Sequence, residues 1–245
     1  MKRILIALAA LAGFTATGHA QTVRIATEGA YAPYNFIDEA GKPAGFEIDL
    51  GNEICRRAGL TCEFVITAWD SMIPNLLAGN YDVIMAGMAI TEERLASIDF
   101  SAEYYPPGPS NYATRAGQTI AFPPVGQRIG TQTGTIQGNF AEATLGATNT
   151  VSLYETYDQA VADLAAGNLD LVLAEEGYIK PIVDASGGAL LMVGPDELIG
   201  GGTAGGIRKE DDTLQATFDR VIGEMKTDGS LNELIVKWFE DPQTF

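Results

Sequence analysis

The chain has 245 residues, 46% of them hydrophobic, with 32 acidic against 15 basic side chains and a formal charge of −17. A chain this acidic lacks the basic surface that nucleic acid and anionic lipid require. Its one histidine, His19, falls in the leader described next, so the mature chain is left without Ser-His-Asp, Cys-His or histidine-metal chemistry.

Residues 1–20 read as a cleavable secretory signal. Lys2 and Arg3 form the basic start, residues 4–14 the apolar stretch and Gly18-His19-Ala20 the small-residue end, with cleavage after Ala20. The apolar run is too short to span a bilayer, and no later segment is long and apolar enough to do so. No cysteine follows the cut to carry a lipid, so the mature chain is expected to be exported and soluble. Removing the leader takes the formal charge from −17 to −19.

TVRIAT (22–27) alternates as a strand. After GAYAPYNF, the segment GFEIDLGNEICRRAG (45–59) sets Phe46, Leu50, Ile54 and Ala58 on one helical face, with Arg56 and Arg57 in the last turn and Gly59 as the stop. CEFVIT (62–67) is the next strand. Asp70 is expected to cap a helix running to Ala78, with Pro74 near its first turn; Gly79 ends it and YDVIMA (81–86) follows as a strand. Residues 22–86 therefore read strand-helix-strand-helix-strand, the pattern of a parallel sheet.

The second half repeats the scheme. QRIGTQTG (127–134) is a strand ending in a Gly- and Thr-rich turn, IQGNFAEATLG (136–146) a helix, TVSLY (150–154) a strand, residues 157–166 a helix stopped by Gly167, and LDLVLA (169–174) a strand. The junction LLAGNYDVIMAG (76–87) is echoed 88 residues later by LAAGNLDLVLAE (164–175), with Leu76, Ala78, Gly79, Asn80, Asp82 and Ala86 each repeated. The echo marks the same helix-to-strand junction in two α/β units. Between them lies a proline-rich stretch, 104–109, and after the second unit a run with five glycines in residues 200–206. These read as two crossovers between lobes. The tail from Asp212 gives two amphipathic helices, carrying Leu214, Phe218 and Ile222, then Leu231, Leu234, Ile235 and Trp238, and is expected to pack back on the first lobe. The lobes are taken as 21–107 with 205–245, and 108–204.

Cys55 and Cys62 both lie in the exported part, where disulfides persist, and an even count at a short gap points to one structural bridge closing a small loop. Two cysteines alone make no metal site.

Open parallel sheets bind ligands beyond the carboxyl ends of their strands. The first echoed strand continues AGMAITEER to Arg94, and the second runs directly into Glu175. Facing each other, a guanidinium and a carboxylate suit the two charges of an α-amino acid; the same spacing also suits surface charges at helix starts. Tyr31 and Trp69 lie in the two strand-to-helix turns of the first unit, placed to hold an aliphatic chain or a cationic end. The turn of Thr133, Gly134, Thr135, Ile136 and Gln137 precedes a helix and offers backbone N–H groups to an anion.

These residues, with TEGAYAPYNF, GFEIDLGNEICRRAGLTCEF, WDSMIPNLLAGNYDVIMAGMAITEER, GIRKEDDTL and DGSLNELIVKWF, make the whole mature chain resemble the periplasmic family 3 solute-binding proteins for polar amino acids, the lysine/arginine/ornithine- and histidine-binding group of ABC importers. The resemblance implies two α/β lobes, each a mostly parallel sheet flanked by helices, a two-strand hinge, and closure over the ligand. It implies a monomer in the periplasm that serves a membrane permease, with no cofactor, no metal and no catalysis. Tyr31 and Trp69 would sandwich the ligand side chain. Arg94 would pair with the α-carboxylate, helped by backbone donors at Gly87, Ala89 and Ile136; Glu28 would reach the distal cation and Glu175 the α-ammonium. The Cys55–Cys62 spacing resembles that group's single disulfide.

The chain departs from the pattern at Ala86-Gly87-Met88-Ala89, which offers no hydroxyl where many members carry serines or an aspartate, and at Glu175, one methylene longer than the usual aspartate. Opine-binding relatives share the Glu28, Tyr31, Trp69, Arg94 set, so an opine of the octopine or nopaline kind is the alternative ligand. Cyclohexadienyl dehydratases also resemble the family and use a carboxylic acid in the cleft, a role open to Glu175. A detached sensory subunit would read the same way from sequence.

Overall fold

The computed structural model of the chain describes residues 21–239. The leader read at residues 1–20, with His19 and the cleavage point after Ala20, lies outside the described residues, as do residues 240–245.

Strand β1 (Thr22–Thr27) opens the first half. A small antiparallel ribbon follows, made of β2 (Ala30–Tyr31), β3 (Asn35–Ile37) and β4 (Pro43–Ala44). Helix α1 (Phe46–Ala58) buries Phe46, Leu50 and Ile54, three of the four residues on its apolar stripe. It ends as its sequence dictates: Gly59 adopts a left-handed φ of 70°, and the Leu60 N–H returns to the Cys55 carbonyl at 2.8 Å. Strand β5 (Thr61–Ile66) then runs parallel to β1. Next come α2 (Met72–Leu77), β6 (Val83–Ile84), α3 (Glu92–Leu95) and β7 (Asp99–Phe100).

The second half holds β8 (Ser110–Arg115), β9 (Arg128–Gln132), α4 (Ile136–Phe140), β10 (Thr150–Tyr154), α5 (Tyr157–Ala166), β11 (Leu171–Glu175), α6 (Glu176–Ala185) and β12 (Leu190–Glu197). The chain then returns through β13 (Gly206–Ile207), α7 (Asp212–Asp228) and α8 (Ser230–Phe239). Two five-stranded sheets result, in the orders β5-β1-β6-β13-β7 and β10-β9-β11-β8-β12. The strands read from the sequence pair in parallel, while β8, β12 and β13, contributed by or next to the crossovers, run antiparallel to their neighbours. This is the two-lobed α/β architecture. The returning helices pack on α1: Phe218, Val221, Ile222, Met225, Leu231 and Ile235 share one core with Phe46, Leu50 and Ile54. Lys237 and the Trp238 indole both reach Asp49 of α1.

Three local expectations need correction. Asp70 caps nothing; it sits inside a 3₁₀ turn, Trp69–Ser71, and α2 starts only at Met72, without a side-chain cap. Strand β6 keeps two of the six residues expected, because Tyr81 turns inward to donate to the Met72 carbonyl at 2.6 Å and the backbone bends toward Gly87 after Ile84. The helix expected over 136–146 is one turn of α4 that widens into a π turn, Ala141–Leu145.

The repeated junction has a structural cause that the sequence reading missed. Gly79 and Gly167 both take left-handed φ, 77° and 87°. Three residues on, Asp82 receives the backbone N–H, Nε and Nη2 of Arg24, and Asp170 receives the same three groups of Arg128. Each copy thus anchors its strand to the neighbouring parallel strand.

The Cys55–Cys62 disulfide forms, with Cα atoms 6.0 Å apart, and ties the end of α1 to β5. Closing so short a loop contributes about 2.5 kcal/mol. The double variant Cys55→Ser/Cys62→Ser is expected to melt about 5–10 °C below the oxidised protein by calorimetry, with the fold retained.

Candidate ligand-binding site

A cleft with about 610 Å³ of atom-free space, part of it open to solvent, lies between the two sheets, at the carboxyl ends of their parallel strands. Glu28, Tyr31, Trp69, Ala86, Gly87, Ala89 and Arg94 line it from the first lobe, and Thr135, Ile136, Gln137 and Glu175 from the second. The structure therefore brings together all the expected residues except two. Met88 is buried in the core beneath, with Ala26 and Trp69, and Thr133 stays in its turn, its N–H bonded to the Tyr154 carbonyl.

Arg94 reaches the cleft from α3, whose N-cap, Thr91, accepts a hydrogen bond from the Arg94 N–H. Its guanidinium lies 5.2 Å from the centre of the Trp69 ring and donates to two carbonyls, Ala89 at 2.8 Å and Gly134 of the other lobe at 3.2 Å. It is 9% exposed and forms no salt bridge among the described residues. Burial lowers its pKa to about 10, so it stays protonated at neutral pH. A buried guanidinium held only by neutral carbonyls is under-compensated, and an anion in the cleft corrects that.

Glu175 ends β11 at the opposite wall. Its Oε2 is buried with no hydrogen-bond partner among the described residues. Burial pushes its pKa up to about 7, against the pull of the Gly177 and Tyr178 N–H groups and the Tyr34 hydroxyl. Two glycines keep the carboxylate uncovered: a Cβ at Gly108 would sit 3.1 Å from Oε1, and one at Gly177 3.1 Å from Oε2. Glu28 is also raised to about 7, by burial and by Asp158 and Glu155 nearby, against the hydrogen bond it accepts from Gln132 Nε2 at 2.5 Å. The site thus offers one cation and two under-paired carboxylates.

Several expected contacts take another form. The Gly87 N–H, expected to serve a ligand carboxylate, is spent on Glu47 Oε1 at 2.8 Å. Thr135 uses its hydroxyl to cap α4, accepting from the Gly138 N–H and donating to the Gln132 carbonyl. Gln137 gives its amide to Ser110 and accepts from the Tyr157 hydroxyl, so it props the wall. Tyr31 and Trp69 do not face each other as an isolated pair. Tyr31 stacks with Tyr34 at 5.3 Å and with Tyr178 of the other lobe at 4.8 Å, while Trp69 carries Arg94.

The sequence reading missed Tyr34, Tyr105, Gln132 and Tyr157, all cleft-lining. The strand-end rule that found Glu175 would also have found Gln132, the last residue of β9. Tyr34 and Tyr105 come from an irregular turn and a crossover, where no periodicity marks a side chain's direction.

Known proteins resemble this chain along nearly its full length. Residues 23–241 match the model for "Bacterial extracellular solute-binding proteins, family 3". The lysine/arginine/ornithine-binding periplasmic protein of Escherichia coli strain K12 is 35% identical, over 98% of each chain. The octopine-binding periplasmic protein of Rhizobium meliloti is 30% identical over 98% of this chain and 97% of its own. Among solved structures, a periplasmic His/Glu/Gln/Arg/opine family-binding protein from Silicibacter pomeroyi, in complex with lysine, is 47% identical with a TM-score of 0.85, covering 91% of this chain and 100% of its own.

The raised carboxylates fix a pH dependence. A carboxyl whose folded pKa exceeds its unfolded value stabilises the fold below the unfolded pKa and loses that contribution as pH rises through the folded one. Near pH 4.5 the protonated Glu28 is at ease; above pH 7 its burial costs about 1–3 kcal/mol. Glu28→Gln is therefore expected to raise the melting temperature of the ligand-free protein at pH 8 and to leave it near wild type at pH 5. Equal shifts at both pH values would show that Glu28 is not the strained group.

Proposed function

The chain belongs to the bacterial extracellular solute-binding proteins of family 3, and from that premise we propose that it captures a cationic α-amino acid such as arginine, lysine or ornithine and hands it to the permease of an ABC importer. It is read as a binder, not a catalyst. It works as a monomer in the periplasm once its leader is cut after Ala20, with lobes at 21–107 plus 205–245 and at 108–204, the strip 201–204 at that boundary bonding to the first lobe.

The observation that carries this reading is the pair formed by Arg94, buried without a salt bridge, and Glu175, whose buried Oε2 lacks a partner, in one cleft between two lobes. A zwitterion satisfies both at once. Its carboxylate takes the guanidinium, in the paired geometry that arginine favours, and its ammonium takes Glu175. Glu28, with Asp158 and Glu155 behind it, makes the remaining end of the cleft anionic and suits a second positive charge.

The same charges explain the coupling of binding to closure. Shutting the lobes over three under-paired ionised groups is unfavourable, because each loses water without gaining a partner. A ligand that supplies the partners removes this cost only in the closed form, so it shifts the equilibrium toward closure. Neutral or anionic side chains leave Glu28 unpaired and are discriminated against by that penalty.

The test is thermal unfolding of refolded mature protein against arginine, lysine, ornithine, histidine, glutamine, glutamate, octopine and nopaline. At a hundredfold excess over Kd the true ligand stabilises by about 2.7 kcal/mol, roughly 5–10 °C for a chain of this size. Arginine, lysine or ornithine is expected to give that shift, and Arg94→Ala to abolish it, with affinity at least about a hundredfold weaker. A shift with opines alone would move the ligand to that class, for which the unobstructed wall at Ala86 and Ala89 leaves room. No shift with any of them, together with turnover of prephenate or arogenate, would replace the binder by an enzyme.

A further inference from the structure

We infer that Glu47, which does not line the cleft, is the positioning residue that holds three separate segments of the first lobe together and so sets the shape of that lobe's half of the site. The inference deepens the proposed function and depends on it only for the choice of ligand below.

Glu47 is the second residue of α1, and it is 0% exposed. Its two oxygens collect three donors from three segments: strand β3, the loop after β6 and the first crossover. Oε2 accepts from Asn35 Nδ2 at 2.8 Å, and Oε1 accepts from the Gly87 N–H at 2.8 Å and from the Tyr104 hydroxyl at 2.5 Å. It forms no salt bridge among the described residues; the donors and the N-terminus of α1 compensate its charge.

Each donor leads to a cleft residue. Asn35 accepts the Gly29 N–H on its own Oδ1 at 2.8 Å, so the chain Glu47–Asn35–Gly29 sets the peptide that follows Glu28. Gly87 has a φ of +66°, and a Cβ there would lie 2.9 Å from Tyr31 Cε1, so the bond to Glu47 holds a bare backbone against the Tyr31 ring. Tyr104 bonds through its N–H to the Thr203 carbonyl of the other crossover, and its neighbour Tyr105 lines the cleft. A carboxylate can take all three donors because it accepts on both oxygens and brings no hydrogen of its own; an amide of the same shape would set an NH₂ against a donor.

The experiment compares wild type, Glu47→Gln, and the double variant Asn35→Asp/Glu47→Gln. The double variant exchanges donor and acceptor. The new carboxylate at position 35 accepts from Gly29 and from the new amide at position 47, whose oxygen still accepts from Gly87 and Tyr104. In ligand-free protein, hydrogen–deuterium exchange is expected to rise about tenfold or more in Glu47→Gln at residues 28–31, 86–89 and 104–105 together, with residues 157–175 unchanged. The double variant returns all three segments to wild-type rates. By calorimetry, arginine affinity falls at least about tenfold in Glu47→Gln and recovers to within about threefold in the double variant.

A rise in one segment only, a uniform rise across the protein, or no recovery in a folded double variant would overturn the inference, since a merely structural residue would not be rescued by moving its charge one side chain away. Should Glu47→Gln not fold, the double variant must still fold and bind, and Asn35→Ala must loosen 28–31 while sparing 86–89; failure of either overturns the inference. If wild type binds lysine or ornithine in place of arginine, that ligand is used in the affinity arm; if it binds none of the three, the proposed function fails, and the exchange pattern alone decides the role of Glu47.

Discussion

Two aspartates set the frame in which everything else is placed. Asp82 and Asp170 each bracket an arginine of the neighbouring strand, taking its backbone N–H and two side-chain nitrogens. As ion pairs they are half-exposed, and such pairs contribute at most about 1 kcal/mol. Their effect is geometric. Both faces of β6 and β11 are buried, so a slip of one residue would exchange the side chains of two different cores, and the three-point bracket permits one register only. With the N-terminal ends of β6 and β11 pinned against β1 and β9, the carboxyl ends of those strands deliver the 86–94 loop and Glu175 to the same cleft. The 88-residue echo is thus a repeated anchor at one end of each sheet, and the dissimilar chemistry at the other end is what the anchors position.

In the cleft, the pairing logic is reversed. Outside it, arginines meet aspartates or glutamates, as at Arg24, Arg57, Arg128 and Arg208. Inside it, Arg94 has only carbonyls and an indole face, and Glu28 and Glu175 have neutral donors. A protein that matches its charges on the surface and leaves them unmatched in a buried groove has reserved them. Membership of the solute-binding family fits that reservation, and the relatives that carry cationic amino acids share nearly the full length of the chain.

Much of the fold was legible because period and punctuation agreed. The α1 stripe, the Gly59 and Gly167 stops and the 157–166 helix came directly from spacing. The errors arose where periodicity does not encode the outcome: the Tyr81 hydroxyl bonds to the Met72 carbonyl at the start of a shortened β6, and Asp70 lies in a 3₁₀ turn. The cleft was legible where a strand delivers the chain to it, directly at Glu175 and through the following loop and α3 at Arg94. It was opaque where function is shared out through hydrogen bonds. Nothing in the letters reveals that Gly87 spends its N–H on Glu47, that Gln137 is a prop, or that Tyr31 packs its ring against Tyr34, Tyr157 and Tyr178.

Thr203 has a mechanical consequence. Its N–H and C=O both bond to the 104–105 crossover, and the residues around it are sewn to the cleft floor, Ile90 to Gly202, Gly201 to Ile90 and Ala204 to Met88. On the far side, Ser110 pairs with Glu197, and the Glu176 N–H holds the Pro109 carbonyl. Between these two sewn blocks the chain itself crosses at residues 106–108 and 198–200. The two crossings are therefore three-residue straps, and the strip at 201–204 belongs by its hydrogen bonds to the first lobe. Gly108 in the first strap lies against Glu175 and Gly200 in the second against Ala89 and Ile136, so both straps run directly beside the cleft walls they join.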